Sequence, residues 1–253
     1  MTPPDRPPAL WLVSDIASAF GLLTRLPWPQ TAHHRPHAAW AWPLVGAVVG
    51  ALVAGSGWLA GMLGLSPALA AALALIVGVF ATGALHEDGL ADCADGFFGG
   101  WTPQRRLEIM KDSHIGSYGT LALLLTGLAR WSALAALFEA GAFGAVVVAA
   151  MLSRAPMAAI IATLPNARKS GLSQSVGRPP RGAALMAVAF ALTGAALLGP
   201  PGAGMALAAA TGALSVAALA RARIGGQTGD VLGASQQIAE LCALCAAVAL
   251  VPK

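Results

Sequence analysis

Seven apolar stretches restrict what this chain can fold into more than any other feature. They run roughly over 40–63, 67–85, 119–138, 143–164, 183–199, 202–220 and 232–251. Each approaches the ~20 apolar residues that a helix needs to cross a bilayer. A segment in hydrocarbon must satisfy its own backbone polar groups, so a chain of this kind spans as helices. The composition agrees: 57% of the 253 residues are apolar and 10% are charged, against about 25% charged in an average soluble domain. With a mean hydropathy of +0.71, too little polar surface remains to face water. The expected fold is therefore all-α, a polytopic membrane bundle of about seven transmembrane helices. A Gly-Pro-Pro-Gly turn at 199–202 makes a tight hairpin of two of them.

The segment before residue 40 is too interrupted to span. Its apolar piece, Leu10 to Leu23, contains Asp15 and leads into Pro27 and Pro29, which fits an interfacial or re-entrant element. It has no basic lead into an apolar run, so it does not read as a secretory signal. The chain divides into an N-terminal cytoplasmic or interfacial segment, 1–39, and one transmembrane catalytic domain, 40–253. Twelve of the 15 Lys and Arg fall on one side: Arg6, Arg25, Arg35, Arg105, Arg106, Lys111, Arg168, Lys169, Arg178, Arg181, Arg221 and Arg223. The other side holds Lys253, while Arg130 and Arg154 lie within spans. The positive-inside rule then places the N-terminus and the loops after spans two, four and six in the cytoplasm.

The acidic residues are concentrated. Of 11, six lie in 87–112 (Glu87, Asp88, Asp92, Asp95, Glu108, Asp112), and Asp230 and Glu240 lie at the last loop and span. The topology brings both stretches to one membrane face. If span two continues as a helix, Asp88, Asp92 and Asp95 share one stripe at i, i+4, i+7. Three carboxylates there repel one another, and a helix C-terminus disfavours them further. A divalent cation relieves that cost, and Mg²⁺ takes hard carboxylate oxygens while leaving positions for water and phosphate. Glu87, Asp230 and Glu240 complete the candidate metal ligands. Asp88, Asp92, Asp95 and Asp112 are the candidate catalytic carboxylates.

A second helix follows, with Thr102 as cap and Pro103 in its first position. Arg105 and Lys111 are candidate phosphate contacts, while Arg106 reads as a basic anchor. Directly before the last span stands Gly225-Gly226-Gln227-Thr228-Gly229-Asp230. Its glycines allow close backbone approach, and N–H groups at a helix N-terminus suit an anion. Asp230 also fits a capping role. Glu240 and Arg154 lie within spans, where ionisable groups are costly and carry function by default. Their mutual pairing is the structural alternative. His33, His34 and His37 read as solvated. Cys93, Cys242 and Cys245 form no disulfide framework.

These motifs resemble the cobalamin synthase family, also called adenosylcobinamide-GDP ribazoletransferase. The resemblance rests on Glu87-Asp88-Gly89-Leu90-Ala91-Asp92-Cys93-Ala94-Asp95-Gly96, on Arg106-Leu107-Glu108-Ile109-Met110-Lys111-Asp112-Ser113, and on the 225–230 loop. Thr24-Arg25-Leu26-Pro27, Trp42-Pro43-Leu44-Val45-Gly46 and Ser153-Arg154 fit it too, so it spans about 20–241. Position 114, often Arg in the pattern, is His114, and position 237, often Glu, is Gln237.

The resemblance implies a Mg²⁺-dependent enzyme of the bacterial cytoplasmic membrane, with its site on the cytoplasmic face. It would join adenosylcobinamide-GDP to α-ribazole, or its 5′-phosphate, releasing GMP. It implies substrate contacts at Arg25, Arg105, Lys111, Arg154, Gly225, Gly226, Gln227, Thr228 and Gly229. The lipid bilayer is an expected partner and nucleic acid is not. Self-association, or association with other enzymes of the cobalamin pathway, stays open. Two alternatives stand beside it. Asp92-Cys93-Ala94-Asp95-Gly96 contains the Asp-x-x-Asp-Gly core of CDP-alcohol phosphotransferases, though Gly99 and Gly100 replace the Ala-Arg expected after it. A cation transporter would instead place its acids near mid-membrane.

Overall fold

The computed structural model describes residues 8–27 and 35–250. The expectations for His33, His34, Arg6 and Lys253 lie outside them. Among the described residues eleven helices follow in order: α1 Pro8–Leu23, α2 Trp42–Met62 (led by a 3-10 turn, Pro36–Ala41), α3 Pro67–Thr82, α4 Leu85–Gly99, α5 Pro103–Ile109, α6 Ser117–Glu139, α7 Phe143–Thr163, α8 Leu172–Val176, α9 Arg181–Ala196, α10 Pro200–Ile224 and α11 Gly229–Leu250. The fold is the expected all-α bundle.

Fewer helices reach spanning length than the seven apolar stretches. Among the described residues, five helices are long and apolar enough to cross a membrane: Pro36–Met62, α6, α7, α10 and α11. The pair α3 and α4 makes a sixth only if a 90° bend is counted inside one span. The stretch expected as the fifth span forms α9, with 16 residues, short of the ~20 that a bilayer requires.

Helix α7 lies at the centre, packed against α2, α9, α10 and α11. Its neighbours approach closely because the facing positions are small. Gly46 and Gly50 of α2 meet Val147 and Ala150 of α7. Among helices in lipid, where burial of apolar surface gives no net drive, such close van der Waals packing holds the bundle together. At the N-terminal side, Asp15 is buried yet compensated: Trp40 Nε1 donates to it (3.2 Å) and Arg35 pairs with it (3.3 Å).

Between α3 and α4 the chain breaks sharply. Gly83 (φ 66°) and Ala84 (φ 57°) are both left-handed. For alanine that conformation costs ~1–2 kcal/mol, offset where the bend is held from outside. The backbone N–H of Arg25 donates to the Ala81 carbonyl (2.8 Å), and the Arg25 side chain lies against Gly83. Span two therefore does not continue through the acidic stretch. The acids open a new helix, with Glu87 and Asp88 in its first turn, where the helix dipole favours negative charge.

Candidate active site

Helix α4 packs along α11, and the closest approach falls beside the acids. A Cβ on Gly89 would meet the Asp230 carbonyl oxygen at 2.7 Å and the Gly233 Cα at 3.2 Å. Only glycine permits that approach, which sets Asp88 and Asp92 of α4 beside Asp230 of α11. Asp92 is half-buried within electrostatic reach of Asp230, Asp88 and Asp95.

The last helix starts differently from the expectation. Thr228, not Asp230, is its cap: the Thr228 hydroxyl accepts from Val231 N (3.3 Å) and donates to Asp230 Oδ2 (3.2 Å). Asp230 is left for the site, where Arg168 pairs with it. Arg168 was counted only as a loop charge. The signal was present in Asn166-Ala167-Arg168-Lys169-Ser170-Gly171, a polar, basic run directly after a span.

The 225–230 loop is zipped to that same run. Gln227 N donates to Pro165 O (2.8 Å), and Ala167 N donates to Gln227 O (2.9 Å). The Gln227 side chain, 1% exposed, bonds Ser173 (2.8 Å) and Asn166. Its amide is thus engaged by protein while the residue also lines a pocket shared with Asp88 and Asp230. Gly226 lies against the Pro165 carbonyl, so here the close approach it allows is to the chain itself. Gly226→Val is expected to overpack this contact at a cost of about 1–3 kcal/mol, loosening 164–171. Trypsin should then cut at Arg168 and Lys169 faster than in the parent; unchanged cleavage would contradict this account.

Asp95 faces elsewhere. Its Oδ2 accepts from Gly116 N (2.7 Å) and its Oδ1 from Gly119 N (2.9 Å), so it ties α4 to the N-terminus of α6. Helix α5 forms as expected, with Thr102 accepting from Arg105 N (3.2 Å). Arg105 pairs with Glu108 (3.0 Å) in solvent, whereas Lys111 lines a cleft of about 540 Å³ with Glu87, Asp88, Asp92, Asp112 and His114. Arg106 is more than an anchor, donating to the carbonyls of Gly100 and Arg223 (2.9 Å each). The His114 imidazole, 2.7 Å from Asp112, holds that carboxyl below the usual carboxylate range by its hydrogen bond.

Deeper in the bundle, Glu240 and one oxygen of Glu87 are engaged by arginine. Arg130 donates to both (2.8 and 3.2 Å), and Arg154 pairs with Glu240 at 3.5 Å. Arg154 is 2% exposed and also bonds the Ala150 carbonyl (2.9 Å). These ion pairs offset the burial of charge on Glu87, Glu240, Arg130 and Arg154. Gln237 accepts from Arg130 (2.7 Å) and donates to Glu87 (3.1 Å), a bridge that a carboxylate cannot make toward Glu87. Two arginines on the mid-bundle acids also oppose a cation path.

Asp88 stands where two concavities meet. It borders the polar cleft and also a pocket of about 260 Å³ lined by Arg168, Thr228 and Asp230 at one end and by Trp42, Met157 and Ile161 at the other. Among the described residues, no three His, Cys, Asp or Glu side chains converge as a ready metal site. The donor chemistry nonetheless suits Mg²⁺: Asp88, Asp92 and Asp230 offer hard oxygens from two packed helices, with Arg168 paired to Asp230.

An all-α bundle with helices of membrane-spanning length and a carboxylate-bearing site between two concavities defines a polytopic membrane protein with a polar site. The chain belongs to the cobalamin-5-phosphate synthase family, whose model matches residues 15–248. It is 44% identical over 248 residues to the adenosylcobinamide-GDP ribazoletransferase of Bradyrhizobium diazoefficiens, covering 94% of each chain. To that of Brucella ovis it is 40% identical over 256 residues, covering 92% of this chain and 95% of the relative. No solved structure matches it.

Proposed function

We propose that this protein is a Mg²⁺-dependent phosphotransferase of the bacterial cytoplasmic membrane. It joins adenosylcobinamide-GDP to α-ribazole, or its 5′-phosphate, and releases GMP. The observation that carries the reading is the meeting of two concavities at Asp88, the arrangement that a two-substrate transfer needs. The relatives' names supply the substrates.

In the reaction a ribose hydroxyl oxygen forms a bond to the diphosphate phosphorus while the bond to the GMP oxygen breaks. Asp88, Asp92 and Asp230 are the residues that would hold Mg²⁺. When bound, that ion supplies charge neutralisation at the attacking and leaving oxygens. A carboxylate of this cluster accepts the hydroxyl proton. Lys111 and Arg168 border the two chambers and hold phosphate oxygens by charge-assisted hydrogen bonds. The basic loops support a site on the cytoplasmic face.

The experiment incubates the purified protein in detergent with adenosylcobinamide-GDP and α-ribazole. GMP release that requires Mg²⁺ and stops on chelation is expected. Release independent of divalent cation would remove the metal from the reading, and no release at all would overturn it.

A further inference from the structure

The 260 Å³ pocket has two unlike ends. One carries Asp88, Asp230, Arg168, Thr228 and Ser170, and the proposed chemistry accounts for it. The other is walled by Leu22, Leu23, Met157, Ile161, Val176 and Leu232. Two polar atoms interrupt that apolar wall and have no protein partner among the described residues: the indole Nε1 of Trp42 and Nε2 of His86. Both residues are 1% exposed and both line the pocket. A buried donor without an acceptor costs ~1–3 kcal/mol, so an indole N–H left bare beside a cavity points to a ligand that supplies the acceptor.

Building on the reading above, we infer that the apolar end is the subsite for the base of the nucleoside substrate. It takes a neutral, bicyclic aromatic ring with one unprotonated nitrogen, and the Trp42 indole N–H donates to that nitrogen. The ribose then lies toward His86 and Thr228, and its hydroxyl reaches the carboxylates at Asp88 and Asp230.

Other occupants fit less well. Guanine carries several N–H donors and a carbonyl along one edge. The apolar end holds no carboxylate for them, and the nearby Gln227 amide is engaged by Ser173 and Asn166. A lipid chain would leave both ring nitrogens unsatisfied. A corrin ring is too large for the volume. A planar base of mostly hydrocarbon character matches both the apolar lining and the lone donor.

The test measures binding of α-ribazole alone to the full chain in detergent by calorimetry, with adenosylcobinamide-GDP as the comparison. Trp42→Phe removes one unpartnered N–H and keeps the ring, so the melting temperature is expected to hold or rise. Nucleoside affinity is expected to fall about 3- to 10-fold, as for one lost hydrogen bond. KM for the nucleoside should rise in step while KM for adenosylcobinamide-GDP stays put. Met157→Trp fills the cavity and is expected to weaken nucleoside binding more strongly, again sparing the GDP substrate.

Unchanged nucleoside binding in Trp42→Phe overturns the inference, whatever Met157→Trp does. Loss of adenosylcobinamide-GDP binding in its place also overturns it and assigns the pocket to guanine. The proposed function fails separately, if the parent protein releases no GMP from the two substrates.

Discussion

Asp92→Asn is expected to lower kcat by about 10²- to 10⁴-fold while the protein still inserts and melts as the parent does. Asp92 is half-buried between Asp88 and Asp230 and makes no hydrogen bond or ion pair to protein among the described residues. The amide keeps its shape, so packing is untouched and only the anionic oxygen is lost. That oxygen serves as cation ligand or proton acceptor in the proposed reaction, and neither duty passes to an amide. Steady-state kinetics with a Mg²⁺ titration, beside a thermal melt, make the check. A variant with near-parental kcat at low Mg²⁺ would remove Asp92 from the site. Asp95→Asn is the informative contrast. Both Asp95 oxygens accept backbone N–H groups, and an amide presents a donor to one of them. Its defect is expected in stability at the start of α6 as well as in rate.

The largest stability effect is expected from Arg130→Met. Arg130 is the common partner of Glu87 and Glu240 and also binds Gln237. Its side chain and that of Glu240 are each 13% exposed. Removing one partner of a buried pair leaves the other charge uncompensated, at about 3–5 kcal/mol. Arg154, at 3.5 Å from Glu240 and hydrogen-bonded to its own helix, compensates only in part. The expected result is low accumulation and a reduced melting temperature in detergent. Adding Glu240→Gln should recover part of the loss, because the stranded charge is gone. An Arg130→Met protein that accumulates and melts like the parent would show that the network contributes little.

The two variants act on different parts of one acidic inventory, and the difference was only half visible in the sequence. Glu87, Asp88, Asp92, Asp95, Asp230 and Glu240 look alike as carboxylates grouped near one face. Their duties diverge through what each meets in space. Asp95 meets the N–H groups of α6, Glu87 and Glu240 meet Arg130, and Asp88, Asp92 and Asp230 stand within electrostatic reach of one another. A stripe at i, i+4, i+7 says which residues share a helix face. It does not say which foreign helix stands opposite each turn. Arg168 was missed for the same reason, since its partner lies 62 residues away.

What the sequence alone determined follows from local and additive properties. Hydrophobic length required an all-α membrane bundle, because each helix must satisfy its own backbone in lipid. The short motifs identified the family, and Thr102 with Pro103 marked the start of α5 through contacts within four residues. What tertiary structure decided is everything set by approach between distant segments. The 90° turn at Gly83 and Ala84 is held by Arg25, the meeting of α4 and α11 depends on Gly89 against Asp230, and the 225–230 loop is positioned by 165–167. Packing and pairing energies depend on neighbours that chain order does not specify, so the site's carboxylates acquire their separate roles only once the helices have packed.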